Sequence, residues 1–318
     1  MLYIFNPEND MALADGHPGY TPPAQIQQMR RELWWLPQWW ATDEDIVWNG
    51  EDRLCLPSDT KIVPWGWSPA LCHQLQQAGV DAAMLPSAEK LEQLRQLSHR
   101  QTSVSLLREM HEQLSLDGHM CGSTTLCQSM EEAEAAIAER GEALLKSPWS
   151  SSGRGLMPSS NPQWQAWARR ILRQQGSVVV EQMLHKVSDF ALEFWLDGKG
   201  GVEYRGLSLF YTNDKGAYLG NWVAPEGQKF QWLMQYIPPQ ALVEIRQWWE
   251  ERLRHFDYSG PVGIDMMLAQ EGICPCIEVN WRMTMGLVSC LAAEQGRFGR
   301  MVVEFIYGHY SAEIEAFS

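Results

Sequence analysis

The sequence predicts an α/β chain in which a small N-terminal domain precedes a larger region that carries the chemistry. Three observations support this. Short strands alternate with helices over residues 1–97. A strand at 143–146 ends in Lys146 and enters a Ser/Gly-rich loop. Residues 260–286, GPVGIDMMLAQEGICPCIEVNWRMTMG, hold two apolar runs, 261–268 and 273–279, around a short polar turn, which reads as a β-hairpin.

Length and composition fit such a chain. With 318 residues, 45% apolar and 20% charged, it is globular and long enough for two or three cores. A net charge of −14 argues against nucleic acid, where a basic surface is expected. The start, MLYIFNPEND, has no basic n-region and no long apolar run, and no window approaches eighteen apolar residues. A soluble, cytoplasmic protein with no membrane contact is therefore expected. The seven cysteines lack the density of a disulfide scaffold. Cys274 and Cys276 read as core residues, because two cysteines on one strand cannot close a tetrahedral metal site. The sixteen tryptophans, clustered at Trp34, Trp35, Trp39 and Trp40, read as packing aromatics in preference to sugar- or base-stacking ones.

Taken in order, residues 2–5 form a buried strand that ends at Asn6-Pro7. Residues 6–23 read as one long loop carrying Glu8, Asn9, Asp10 and Asp15, either a binding loop or a surface connection. Residues 24–33 are helical, and 46–48 and 61–63 are short strands. Ser68-Pro69 caps a helix that Gly79 stops. Residues 87–112 are helical, with a break at Ser98-His99-Arg100. After a strand at 123–126, Ser129-x-x-Glu132 forms a capping box for a helix that Gly141 ends. Asn161-Pro162 opens a helix that Gly176 ends, and 177–181 is a buried strand.

Two stretches carry chemistry. In the hairpin, Glu278 and Asn280 share a face by the period of two. With the turn centred between Gln270 and Glu271, Asp265 opposes Cys276 and lies diagonal to Glu278, about 7–8 Å away. Two carboxylates and an amide make a hard, all-oxygen donor set suited to Mg²⁺, and Arg282 keeps the same parity and faces the anion the metal brings. A solvated polar hairpin face is the alternative, disfavoured by the Met, Val, Ile and Cys around these residues. In the loop 146–155, glycines let backbone N–H groups approach phosphate oxygens, serines add donors and Lys146 adds a point charge. No Gly-Lys-Ser/Thr opens a following helix, so it is not a Walker A loop. A plain flexible turn is the alternative.

Lys146 with its Ser/Gly loop, then VVVEQML ending at Leu184, then Asp265 with Glu278-Val-Asn280-Trp-Arg282, resembles the ATP-grasp superfamily in order and spacing over about residues 98–290. The resemblance implies a two-lobe α+β ATP-grasp fold behind the α/β N-terminal domain. Its boundaries would be 1–97 and 98–318, with a nucleotide lobe at about 118–184 and a metal lobe at about 185–318. It implies that Arg100 and Lys146 contact phosphates and that Ser151, Ser152, Gly153, Arg154 and Gly155 fold over them. Glu181, Gln182, Met183 and Leu184 would form the adenine hinge, and Asp189 would hold the ribose. Asp265, Glu278 and Asn280 would bind Mg²⁺, or Mn²⁺ in its place, and Arg282 would stabilise the transferred phosphoryl group.

The expected activity is ATP-dependent activation of a small-molecule carboxylate as an acyl phosphate and its joining to an amine. A small-molecule kinase and a nucleotide-binding module without turnover remain as alternatives. Glu8, Asn9 and Asp10 are the candidate substrate residues. Lys215 is either a further contact or an exposed turn lysine.

Overall fold

The computed structural model describes residues 1–150, 155–213 and 216–316, which build three sheets and the helices packed on them. Strands β1 (Leu2–Ile4), β2 (Ile46–Trp48) and β3 (Ile62–Pro64) form a parallel sheet in the order β2-β1-β3. Helix α1 (Asn9–Asp15) replaces the long loop expected at 6–23. Met11, Ala12, Leu13 and Ala14 are good helix formers, Ala12 and Leu13 are buried, and Gly16 closes the turn at φ 78°. Helices α2 (Ala24–Leu33) and α3 (Pro69–Ala78) follow the sequence reading. The Ser68 hydroxyl accepts from the Leu71 N–H at 3.2 Å, and Gly79 ends α3 in the left-handed region.

Helices α4 (Ala88–Leu97) and α5 (Gln101–Gln113) flank the expected break at 98–100. Next comes a small antiparallel sheet of β4 (Thr124–Cys127), β5 (Ala143–Lys146), β6 (Leu156–Pro158) and β7 (Val178–Gln182), in the order β4-β7-β5-β6. Helices α6 (Met130–Arg140) and α7 (Trp164–Gln175) cover it over an apolar core that includes Leu145, Ile171 and Val180. Half of the expected capping box forms: Ser129 accepts from the Glu132 N–H, but the Glu132 carboxylate reaches past Ser129 to the Gln128 N–H at 2.7 Å. Helix α7 starts at Trp164 and not at Pro162, because Asn161 spends its side-chain oxygen on the Gln163 N–H in a local turn.

The third sheet has seven strands. In chain order they are β8 (Lys186–Asp197), β9 (Val202–Thr212), β10 (Tyr218–Val223), β11 (Ser259–Ala269), β12 (Gly272–Asn280), β13 (Gly299–Ile306) and β14 (His309–Glu315), and their spatial order is β12-β11-β8-β9-β10-β13-β14. Helices α8 (Glu226–Leu233) and α9 (Pro239–Leu253) lie between β10 and β11. Period-two alternation sorts β8 into two faces. Phe190, Leu192, Phe194 and Leu196 enter the main core with the α5 and α9 side chains, while Asp189, Ala191, Glu193 and Trp195 take the opposite face. Helix α10 (Met285–Glu294) packs on that opposite face and joins Phe5, Leu33 and Trp65 of the N-terminal region in a second core.

The tryptophans behave as packing residues: Trp39 and Trp65 are buried in this second core, with Trp35 and Trp40 against it. Cys274 and Cys276 are buried in the main core as free thiols.

Candidate functional site

The hairpin forms as β11 and β12, with Ala269 opposite Gly272 and the turn centred where the sequence places it. Its register then departs from expectation. Met267 pairs with Cys274, yet Asp265 pairs with Glu278 and not with Cys276. Pro275 has no N–H to donate to the ladder, and the irregularity falls there. The slip amounts to two residues, which keeps every side chain on its face, so Asp265 and Glu278 become direct cross-strand neighbours. Asn280 is two pairs further along, on the same face opposite Gly263, and its amide donates to Asp265 Oδ2 at 3.0 Å.

Burial and the adjacent Glu278 charge push Asp265 up to about 7, against the pull of the Asn280 hydrogen bond and the Arg282 charge. A cation between Asp265 and Glu278 would remove that repulsion, and the all-oxygen donors suit a hard ion. Among the described residues, no group of three or more His, Cys, Asp or Glu side chains is placed to hold a metal. The set here is two carboxylates and an amide.

Cations meet these acids from the small sheet and from α5. Arg100, buried at the start of α5, reaches Glu278 Oε1 at 3.0 Å, donates through Nε to the Ser147 carbonyl at 3.1 Å and lies 3.2 Å from Ser150 Oγ. Lys146, also buried, pairs with Glu181 Oε2 at 2.5 Å. The loop after Lys146 is pinned at its ends, where Ser147 N–H donates to the Gly155 carbonyl at 2.9 Å. A Cβ at Gly155, whose φ is 68°, would lie 2.1 Å from Ser147 Oγ, so glycine is required there. Ser151, Ser152, Gly153, Arg154 and Lys215 lie outside the described residues.

A cavity of about 360 Å³ connects these groups. Leu144, Lys146 and Leu156 of the small sheet form one wall, Asp189, Asp265, Glu278 and Asn280 of the large sheet form another, and Phe5, Asp10 and Trp65 of the N-terminal region close the far end. Asp189 is held at the near end, accepting from Lys186 Nζ at 2.9 Å and Thr212 Oγ1 at 2.7 Å. Gln182, Met183 and Leu184 are not on this wall, and Glu181 meets it only through Lys146. Past the end of β7 the Met183 N–H still donates to the Glu142 carbonyl at 3.2 Å, while its side chain is 36% exposed.

The three N-terminal candidates separate. Asp10, on α1, binds Arg282 side-on, with Nε 2.8 and 3.0 Å from its two oxygens and a terminal nitrogen at 2.8 Å. Glu8 is buried against Arg30 at 2.5 Å, and Asn9 is buried beneath Gly66, where a Cβ would lie 2.2 Å from its amide nitrogen. Neither lines the cavity. Because 9–15 is a helix and not a loop, only one of the three side chains faces the cleft.

Sequence reasoning missed Glu193. It is fully buried on β8, lines the cavity, accepts from the Thr284 hydroxyl at 2.9 Å and leaves Oε1 without a partner among the described residues. Burial first, then the Asp265 charge, raises its pKa to about 8, with Thr284, Arg282 and Lys229 opposing. Thr284 also caps α10 by accepting from the Leu287 N–H at 2.9 Å. The only local signal was a glutamate within the alternating run DFALEFWLD, which reads equally well as a solvent-facing position.

No family model and no curated protein matches the chain. Among solved structures it is similar to N5-carboxyaminoimidazole ribonucleotide synthetase from Thermus thermophilus, with a TM-score of 0.49 and 15% identity over 95% of this chain and 83% of that one. It is also similar to the biotin carboxylase domain of the Hydrogenobacter thermophilus 2-oxoglutarate carboxylase in complex with MgADP, ADP and bicarbonate, at a TM-score of 0.48 and 15% identity over 76% and 57%. A third is N5-carboxyaminoimidazole synthetase from Staphylococcus aureus complexed with ADP, at 0.41 and 13% over 60% and 46%. The chain thus spans about half the length of the last two. Of Lys146, Glu181, Asp265, Glu278, Asn280 and Arg282, Lys146 of the small sheet and Asp265, Glu278 and Asn280 of the large one, with Arg282 just beyond it, line one cleft, whereas Glu181 does not. In the order of these residues the chain resembles the ATP-grasp superfamily.

Proposed function

We propose that this protein is an ATP- and Mg²⁺-dependent ligase that activates a carboxylate as an acyl phosphate and joins it to an amine. The observation that carries the reading is the cleft in which Lys146 and Arg100 face Asp265, Glu278 and Asn280 across two sheets. On this reading residues 1–97 form an N-terminal domain, the small sheet is the nucleotide lobe and the large sheet is the metal lobe.

Asp265, Glu278 and Asn280 would hold Mg²⁺, which when bound neutralises charge on phosphoryl oxygens. Lys146 and Arg100 are kept at the cleft by Glu181 and Glu278 and exchange those carboxylates for phosphate oxygens. Asp189, with Lys186 and Thr212, orients the ribose hydroxyls. Arg282, aligned by Asp10, faces the carboxylate under activation. Positioning and charge neutralisation suffice for such a transfer, so the site needs no protein nucleophile.

An ADP-release screen of carboxylates crossed with amines, with hydroxylamine as a generic acceptor, tests the reading. ADP formed together with a hydroxamate is the expected result. A stable phosphate ester with no hydroxamate would make the protein a small-molecule kinase, and nucleotide binding without ADP release a module without turnover.

A further inference from the structure

A second cavity, of about 460 Å³, lies between β3, α4, the β8–β9 turn and the start of β11. Its place follows from the strand register. Along β11, Asp265 pairs with Ala191, Gly263 with Glu193 and Pro261 with Trp195 of β8. The cavity lies at the Pro261–Trp195 level, four residues beyond Asp265, which is roughly 13 Å along the strand. Trp65 and Arg282 line both cavities, so the second continues the first past the ion-paired arginine.

Its walls have a definite chemistry. Trp65, Trp67, Trp195 and Tyr258 line it with aromatic side chains. Four cations (Lys61, Lys90, Lys199 and Arg282) line it against two carboxylates, Asp197 and Asp257, although the whole chain carries a net charge of −14. Asp257 pairs with Lys90, whereas Asp197 Oδ1 accepts the backbone N–H groups of Lys199 and Gly201 at 2.7 and 2.8 Å and its carboxylate also feels the Lys199 charge. Arg282 is taken by Asp10. The ammonium groups of Lys61 and Lys199 have no carboxylate within ion-pair distance among the described residues, and Lys61 Nζ sits 4.8 Å over the Trp195 ring. Aromatic faces stack on planar groups, and unpaired ammonium groups bind carboxylate or phosphate. The volume suits one small molecule.

We propose that this cavity recognises the body of one of the two substrates, a small molecule that combines a planar aromatic or heteroaromatic ring with a carboxylate or phosphate. The assignment rests on the ligase reading above for its place in the reaction, whereas the binding chemistry stands on the cavity itself.

The test uses the full chain and ligand-observed NMR with 1-naphthyl phosphate and 1-naphthylacetate. The neutral 1-naphthol and inorganic phosphate supply each half alone. Both ring-bearing anions should bind at least tenfold more tightly than 1-naphthol or phosphate, and Mg-ADP should not displace them. Their ratio identifies the preferred anion. The double substitution Lys61→Ala with Lys199→Ala should weaken them at least fivefold while leaving Mg-ADP affinity unchanged, and Trp67→Ala should weaken the naphthyl probes alone. Equal binding of 1-naphthol, insensitivity to both lysines, or displacement by Mg-ADP would overturn the proposal. Mg-ADP titrated in the same samples keeps the two readings apart. Loss of naphthyl binding with nucleotide binding intact sinks only this inference, and the reverse sinks the ligase reading and the cavity's place in that reaction while its binding chemistry stands.

Discussion

Glu278 is the residue on which the chemistry and the architecture pull apart most cleanly. Losing its carboxylate has two opposing effects: it leaves Arg100, whose side chain is 7% exposed, with its bond to the Ser147 carbonyl but without its acid, and it relieves the repulsion on the buried Asp265. Glu278→Gln should therefore leave the urea midpoint near that of the parent while cutting Mg²⁺-dependent ADP release at least a hundredfold. Turnover surviving in that variant would remove the metal assignment. Glu193 behaves differently. With a folded pKa of about 8 against 4.5 for the free side chain, the folded chain keeps a proton that the unfolded chain has lost between those values. Fewer protons are then bound by the unfolded state, so stability falls as pH rises from 4.5 to 8. Glu193→Gln keeps the shape without the charge. It should match the parent near pH 4 and exceed it by roughly 2–4 kcal/mol near pH 9, with Asp265 leaving a residual slope. Parallel stability profiles in denaturant melts would show that the carboxyl is not held neutral. These two acids also mark what a sequence reveals at this scale. Glu278 stands out because it interrupts an apolar hairpin beside Asp265 and Asn280. Glu193 occupies an ordinary polar slot in an alternating strand, and only the helix packed over that face makes it exceptional.

Between elements, the close approach of α10 to β8 and β9 sets the geometry of this corner. A Cβ at Gly286 would lie 2.0 Å from Glu193 Oε1 and 2.8 Å from Ser208 Oγ, so α10 or the buried Glu193 carboxylate must shift if any side chain is added. Gly286→Ala should cost about 2–4 kcal/mol in urea unfolding, the range for overpacking a buried contact. A midpoint unchanged from the parent would mean that α10 or the Glu193 carboxylate is free to move. The elements differ in how far they could be read. The hairpin turn, the Ser68 and Ser129 caps and the break before Arg100 were all legible, because turn and cap chemistry is local. The pairing of Asp265 with Glu278 was not, since it depends on how the ladder accommodates Pro275, although the proline itself was visible. Helix α1 was hidden for a related reason: Asn6, Pro7, Gly16 and Pro18 signal a loop on both sides, and seven residues are too few to show a helical period even with good helix formers at 11–14. The strands from 186 to 223 gave no separate reading, because a sheet of seven strands is assembled from pairings far apart in sequence.

At the scale of the whole molecule, the Asp10–Arg282 pair ties the N-terminal region to the end of the metal-site hairpin. The two residues are 272 positions apart and share a bidentate contact that separates the two cavities. If Asp10 served only to recognise the amine, Asp10→Ala would raise the amine requirement and spare both stability and hydroxamate formation. The geometry argues for more. Removing the aspartate strands a guanidinium whose side chain is only 16% exposed, and an orphaned, largely buried charge is costly. Asp10→Ala should therefore lower stability by about 1–3 kcal/mol. It should also depress hydroxamate formation, because Arg282 loses the partner that aligns it toward the activated carboxylate. Arg282→Ala in the same chain removes the stranded charge, so the double variant should be no less stable than Asp10→Ala alone, with a coupling energy of at least about 1 kcal/mol. Glu8→Ala supplies the control. Glu8 pairs with Arg30 away from the cavity, so its loss should lower stability without altering that coupling. Additive effects of Asp10→Ala and Arg282→Ala, together with preserved hydroxamate formation, would return Asp10 to a role in amine recognition and leave the alignment of Arg282 to other groups.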